Sequence, residues 1–230
     1  MTLQTSGGLA ALVCAATYLF GFALLITLLA PLGFGSREID AEAVVEFIKD
    51  DGGILTIWNT VIYIVNALAL AVLVVAVHAT LHARTPAWAE VSRALGVIWA
   101  TLVIGAGMLA NVAVERASYL APIDMNRAVA FWETLHAVEL GLGGGNEIAG
   151  GAWIGCVSLA AWIGRSLGKV TIGLGLVTSA GGMLTLFPFL GDVAGAVFGL
   201  GAIAWFICIA LNLIMFREID HASAERERSK

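Results

Sequence analysis

Asn59, Tyr63 and Asn66 stand at i, i+4 and i+7, so a helix carries all three on one face. Asn111 and Glu115 are four residues apart and share a face in the same way. Asn146 and Glu147 follow directly on the run Gly141-Leu142-Gly143-Gly144-Gly145. Two kinds of chemistry meet in this set. Amides and a phenol supply hydrogen bonds, and carboxylates balance a positive charge. Together they suit a pocket for a small polar or cationic solute, with Arg116 and Arg127 available to close ion pairs. Ionisable groups at membrane depth mark solute or ion pathways by default. The same side chains also serve as hydrogen-bonding glue between membrane helices, and spacing alone leaves both readings open.

Metal chemistry has thinner support. Glu133 and His136 form an E-x-x-H spacing on one helical face, as in di-iron bundles, and Glu139 lies one turn further on. These three are the candidate metal ligands, but a di-iron site needs a second such pair and the sequence has none. His78 and His82, at i and i+4, can share a metal or haem, yet no third ligand is evident beside them. Plain interfacial histidines account for the pair as well. No GxSxG, HExxH or Ser-His-Asp arrangement supplies a nucleophile or a hydrolytic metal. The sequence leaves the identity of any cofactor open. The tail mixes Arg217, Arg226 and Arg228 with Glu218, Asp220, Glu225 and Glu227, which argues against nucleic-acid binding.

The glycine run is open to three accounts. Consecutive glycines cost a helix about 1 kcal/mol each relative to alanine, so the helix can break there and offer backbone groups to a ligand. Alternatively a helix starts there, after an amphipathic stretch at 128–140 on the membrane surface. A close helix crossing is the third. The spacing is no nucleotide signature, because no strand precedes it.

These residues must be positioned by membrane helices. The chain has 230 residues, 60% hydrophobic and only 13% charged, against about 25% charged in ordinary soluble domains. That is too little polar surface to clothe a soluble fold. A crossing needs about 20 apolar residues. Six stretches qualify, at 9–32, 54–81, 94–114, 139–163, 170–190 and 193–216. Residues 1–8 hold no Lys or Arg, so the first stretch is expected to be a retained helix rather than a signal peptide. Cys14, Cys156 and Cys208 all lie inside apolar runs and suggest packing, not disulfides. Trp58, Trp88, Trp99, Trp153, Trp162 and Trp205 suit interface anchoring or packing.

The connections carry the charge. The first, 35–53, is acidic, and within it 41–48 has the pattern of a short amphipathic helix capped by Asp40. Arg84, Arg93, Arg165, Lys169, Arg217, Arg226, Arg228 and Lys230 fall on one side of the membrane, which is eight of the twelve basic residues. By the positive-inside rule that side is the cytoplasm, with both termini in it. Counted back from Arg165 at 1.5 Å per residue, Glu147 lies about 27 Å away, near the outer edge of the apolar core. The pairs Gly151/Gly155 and Gly195/Gly199, with Gly105, Gly107, Gly173, Gly175, Gly181 and Gly182, predict close contacts among spans three to six.

The layout resembles a family of small six-span bacterial membrane proteins known as a domain of unknown function. The likeness covers most of the chain and rests on four features. They are the long loop after span one, the asparagine-bearing span 59–80, the approach Phe131-Trp132-Glu133-Thr134-Leu135-His136 to span four, and the turn Gly164-Arg165-Ser166-Leu167-Gly168-Lys169. The resemblance implies a bacterial inner membrane and assigns no activity.

The expected architecture is an all-α polytopic membrane bundle of six transmembrane helices, one domain over 1–230 with a cytoplasmic tail at 217–230. The leading functional expectation is a protein that binds or moves a small polar or cationic solute through an outer-facing pocket. Asn59, Tyr63, Asn66, Asn111, Glu115, Asn146 and Glu147 would line it. The alternatives are an accessory or assembly subunit of a membrane complex with no solute site, and a metal-dependent membrane enzyme, which the shortage of clustered ligands disfavours. Expected partners are membrane lipid, the solute, and another copy or a membrane protein.

Overall fold

The computed structural model describes residues 2–35, 39–144 and 147–228. Among these the chain is helical and holds no strand. Helix α1, Leu3–Leu24, starts on Thr2, whose hydroxyl accepts from the Thr5 N–H, and runs on through a π-turn at Leu25–Leu29. A short 3-10 turn, Ala30–Leu32, follows, and Gly33 stops it in the left-handed conformation (φ 84°). Helix α2, Ala41–Asn59, is capped by Asp40, whose carboxylate accepts from the Ala43 N–H at 3.0 Å. It buries Ala41, Val44, Val45 and Ile48, the amphipathic stripe its sequence predicts. A kink at Asp51 (φ −133°) separates that stripe from the apolar part of the rod. A π-turn, Thr60–Val65, and α3, Asn66–His82, continue the same rod.

Pro86 opens α4, Pro86–Leu120, where its missing N–H would have lacked a partner anyway. Asp124 caps α5, Met125–Glu139, which passes into a third π-turn at Leu140–Gly144. Helices α6, Ile148–Gly164, α7, Lys169–Leu184, and α8, Gly191–Arg228, complete the chain.

Among the described residues five apolar stretches are long enough to cross a membrane: Leu3–Leu32, Ala41–His82, Pro86–Leu120, Met125–Gly164 apart from residues 145 and 146, and Gly191–Ile214. The sixth, α7, has 16 residues and reaches about 24 Å. Exposed Leu186 and Phe187 in the turn beyond it extend its apolar height. The protein is therefore a multi-pass, six-helix transmembrane bundle. Its outer surface agrees: Leu68, Val72 and Val75 on α3, Ile98 and Met108 on α4, and Leu200 and Leu211 on α8 are exposed. Lipid covers such a belt where water would not.

Two boundaries differ from expectation. Span four starts at Ile148, not at 139, because the chain leaves helical geometry at Gly143 (φ 127°). Glu139 instead closes α5. Span five ends at Leu184, and a 3-10 turn at Pro188–Leu190 occupies the remainder.

The spans form a closed ring in chain order: α1 packs on α3, α3 on α4, α4 on α6, α6 on α7, α7 on α8, and α8 on α1. Small residues set the closest crossings. A Cβ on Gly182 would sit 2.8 Å from the Cα of Gly151 and 2.7 Å from the carbonyl oxygen of Glu147, so α6 and α7 meet backbone to backbone. Gly181 gives α8 the same access, with the Phe198 nitrogen 2.9 Å from such a Cβ. The pair Gly195/Gly199 is not a single crossing: Gly199 abuts Phe22 of α1, while Gly195 has open space before it. The interior of the ring is plugged by Trp99, Trp153, Phe198, Trp205 and Phe206, all buried. Trp99 and Phe206 stack with ring centres 6.3 Å apart and planes 5° apart. A second cluster joins the α2 stripe to Ala113, Val114 and Ala117 of α4 and to Ala128 and Trp132 of α5.

Gly182→Ala is expected to destabilise the bundle by about 1–3 kcal/mol through overpacking. Gly173→Ala, whose new methyl meets nothing within 4 Å, is expected to be neutral. Thermal melting of both variants in detergent checks the contrast.

Candidate functional site

The ring is unevenly tall. The backbone N–H of Glu147 donates to the Thr185 hydroxyl at 3.1 Å, so the α7–α8 hairpin turns back at the level of Glu147. On the other side Trp99 of α4 already abuts Gly150 of α6, and α4 runs on to Leu120. Helices α2, α4 and α5 therefore rise above the hairpin. Inside this tall wall, above the aromatic plug, lies a cavity of about 900 Å³. It extends along α4 from Trp99 to Val114, about 22 Å. Ligand pockets span roughly 300–1,000 Å³.

The walls are aromatic and acidic. Tyr18, Phe34, Trp58, Trp99 and Trp132 contribute rings, Glu139, Glu147 and Asp192 contribute carboxylates, and among the described residues no Lys or Arg lines it. Phe34 is the hub of an aromatic corner, edge-on to Trp58 at 5.5 Å, to Trp132 at 6.3 Å and to His136 at 6.3 Å. Trp132 stacks on His136 with centres 4.7 Å apart. Glu139 is buried at 5 % exposure, and both of its oxygens are engaged. The Tyr63 hydroxyl meets Oε1 at 2.7 Å and Nδ1 of His136 meets Oε2 at 2.8 Å. The buried carboxylate is thus held by one group of its own helix and one from the π-turn at Thr60–Val65, as burial of a polar group requires.

Glu147 and Asn59 are different. Among the described residues neither the Glu147 carboxylate nor the Asn59 carboxamide has a hydrogen-bond partner. Asn59 is 5 % exposed and lines the cavity. A buried amide left unpaired costs about 1–3 kcal/mol unless water or a ligand meets it.

Three π-turns border this cavity, at Leu25–Leu29, Thr60–Val65 and Leu140–Gly144, and each contributes lining residues. Such turns are frequent at functional sites, and the extra residue re-aims the side chains that follow. Gly107 permits the second: a Cβ there would collide with Tyr63.

Of the seven solute-site residues expected from sequence, Asn59, Tyr63, Asn66 and Glu147 line this one cavity. Asn66 also works as glue: its Nδ2 donates to the Thr17 hydroxyl at 2.6 Å, tying α3 to α1. Asn111 and Glu115 do not join them. They face a separate groove of about 470 Å³ with Lys49 and Thr56, and Asn111 Nδ2 donates to Thr60 at 3.0 Å. Asn146 lies outside the described residues. Of the metal candidates, Glu133 is exposed and turned from the cavity, while His136 and Glu139 bond each other. The three do not converge as a ligand group among the described residues. Sequence reasoning did not place Asp192, Trp132 or the Tyr63–Glu139–His136 chain in the site. The one available signal was the i, i+3 spacing of His136 and Glu139.

Compared with known proteins, the chain matches no family model. No curated protein and no solved structure matches it either.

Gly143→Ala is expected to cost about 1–2 kcal/mol although the added methyl has open space, because positive φ strains any residue with a Cβ. Asn66→Leu and Thr17→Val are each expected to cost about 1 kcal/mol, and the double variant no more than either alone. Denaturation in mixed micelles measures all four variants.

Proposed function

We propose that this protein binds an amphipathic organic cation in the cavity between its tall and short walls, and that binding is a step in moving that solute. The observation that carries this reading is that, among the described residues, the Glu147 carboxylate and the Asn59 amide line one cavity without hydrogen-bond partners, and no Lys or Arg shares that lining. A cation entering this space gains a charge-assisted contact with Glu147 and a hydrogen-bond acceptor or donor from Asn59. The faces of Trp58, Trp132 and Tyr18 add cation–π attraction, worth up to about 2 kcal/mol when desolvated. Glu139, locked by Tyr63 and His136, adds negative potential without being free to rotate toward the ligand. An anion has no counter-charge among the described lining residues, and a small hydrated ion has far more room than it needs.

The same reading sets the protein in a bacterial inner membrane with both termini in the cytoplasm. The segregation of Arg84, Arg93, Arg165 and Lys169 to the end that carries the termini supports this, as does the acidic 35–53 connection at the other. The cavity then faces the outside, and the aromatic plug closes its floor toward the cytoplasm.

Tetraphenylphosphonium is a suitable probe, since it is hydrophobic, permanently cationic and titratable against tryptophan fluorescence. Saturable binding is expected, weakened about tenfold by Glu147→Gln, with the melting temperature of the ligand-free variant unchanged. Equal affinity of wild type and Glu147→Gln, or equal affinity for a neutral aromatic of the same size, would count against the cation reading.

A further inference from the structure

We propose that His78, His82 and Glu90 form a site for one divalent transition-metal ion, zinc in the first instance, at the end of the bundle that carries both termini. The site is independent of the solute cavity and lies at the far end of the ring from it.

The three residues come from two helices. His78 and His82 sit one turn apart on the last stretch of α3. The chain turns at Arg84 and Thr85, and α4 brings Glu90 back alongside. Their ligand atoms all lie within 4.8 Å of one another, and they are the only such group of three among the described residues. Nε2 of His78 is 2.9 Å from Oε1 of Glu90, and Nδ1 of His82 is 4.0 Å from the same oxygen. The two rings are 5.2 Å apart.

These separations bracket what a metal needs. With bonds of about 2.0–2.2 Å, tetrahedral ligand atoms stand about 3.4 Å apart. One contact must open by half an ångström and the other close by as much. The side chains have that freedom: His82 is 55 % exposed and Glu90 49 % exposed, whereas His78, at 18 %, is the fixed member. Arg93 holds the other oxygen of Glu90 at 2.8 Å, which leaves Oε1 directed at the imidazoles. Metal-ligating groups are commonly oriented by such an outer partner.

The donor set selects the ion. Two imidazoles and one carboxylate favour zinc, copper, nickel or cobalt over magnesium or calcium, which prefer oxygen alone. Three protein ligands leave a fourth position for water. A metal there would clamp α3 to α4 across their turn.

The test uses the full-length chain in detergent, freed of any affinity tag and stripped with EDTA. Zinc is titrated against a chromophoric chelator, and cobalt is followed by its visible absorption. One saturable zinc per chain is expected, with tetrahedral cobalt bands. His78→Ala and Glu90→Gln should each weaken binding by more than about tenfold. Zinc should also raise the melting temperature of the wild type and not that of either variant. Absence of saturable zinc would overturn the proposal. So would affinity unchanged in the His78→Ala/Glu90→Gln double variant, which would place the ion elsewhere, for instance at His221 in the tail. Both variants remove exposed or interfacial groups, so their metal-free melting temperatures should match the wild type and loss of folding does not enter.

Discussion

Lipid offers no partner to a backbone amide or carbonyl, so every such group at membrane depth has to be satisfied within the protein. The rest of this structure follows from that constraint. The chain answers it with six helical crossings and permits departures from α geometry only where other groups or a cavity take over. The π-turns at Leu25–Leu29, Thr60–Val65 and Leu140–Gly144, and the break at Gly143, all border the same cavity. Irregular backbone in a membrane protein is tolerated where it is buried in protein or lines a water-accessible space. Its concentration here and the position of the cavity are one fact.

The same solvent removes the ordinary reason for helices to associate. Close approach replaces it. Gly151 against Gly182, and Gly181 against Phe198, draw α6, α7 and α8 into a tight half of the ring. The opposing half, built of α2, α4 and α5, is held by larger side chains around Trp58 and Trp132 and stands taller. A tight short half facing a loose tall half leaves a space that no side chain fills. Trp99, Phe198 and Phe206 stop it from running through the molecule.

Inside that space two ways of handling buried polarity stand side by side. Glu139 is fully engaged by Tyr63 and His136, so it shapes the field and contributes rigidity. Among the described residues Glu147 and Asn59 have no hydrogen-bond partner for their side chains, and both line the void. A polar network in a low-dielectric interior is stabilising when complete and expensive when incomplete. The incomplete members are therefore where an outside molecule has most to offer.

The sequence by itself determined the local features: six apolar spans, the amphipathic stripe of α2, the Asp40 cap, the segregation of basic residues and the weakness of the helix at the glycine run. Each of these depends on hydropathy or hydrogen bonds within a turn or two of chain, so composition and spacing suffice. The tertiary structure alone decided which polar faces meet. Asn111 and Glu115 share a helical face as their spacing requires, but α4 turns that face to Lys49 and Thr56 rather than to Tyr63. Glu90 joins His78 and His82 only because α4 folds back along α3. The physical reason is angular. Each residue turns a helix face by about 100°, so one added residue in a π-turn redirects everything after it. The orientation that results is set by packing against helices distant in sequence, and spacing within one helix carries no record of them.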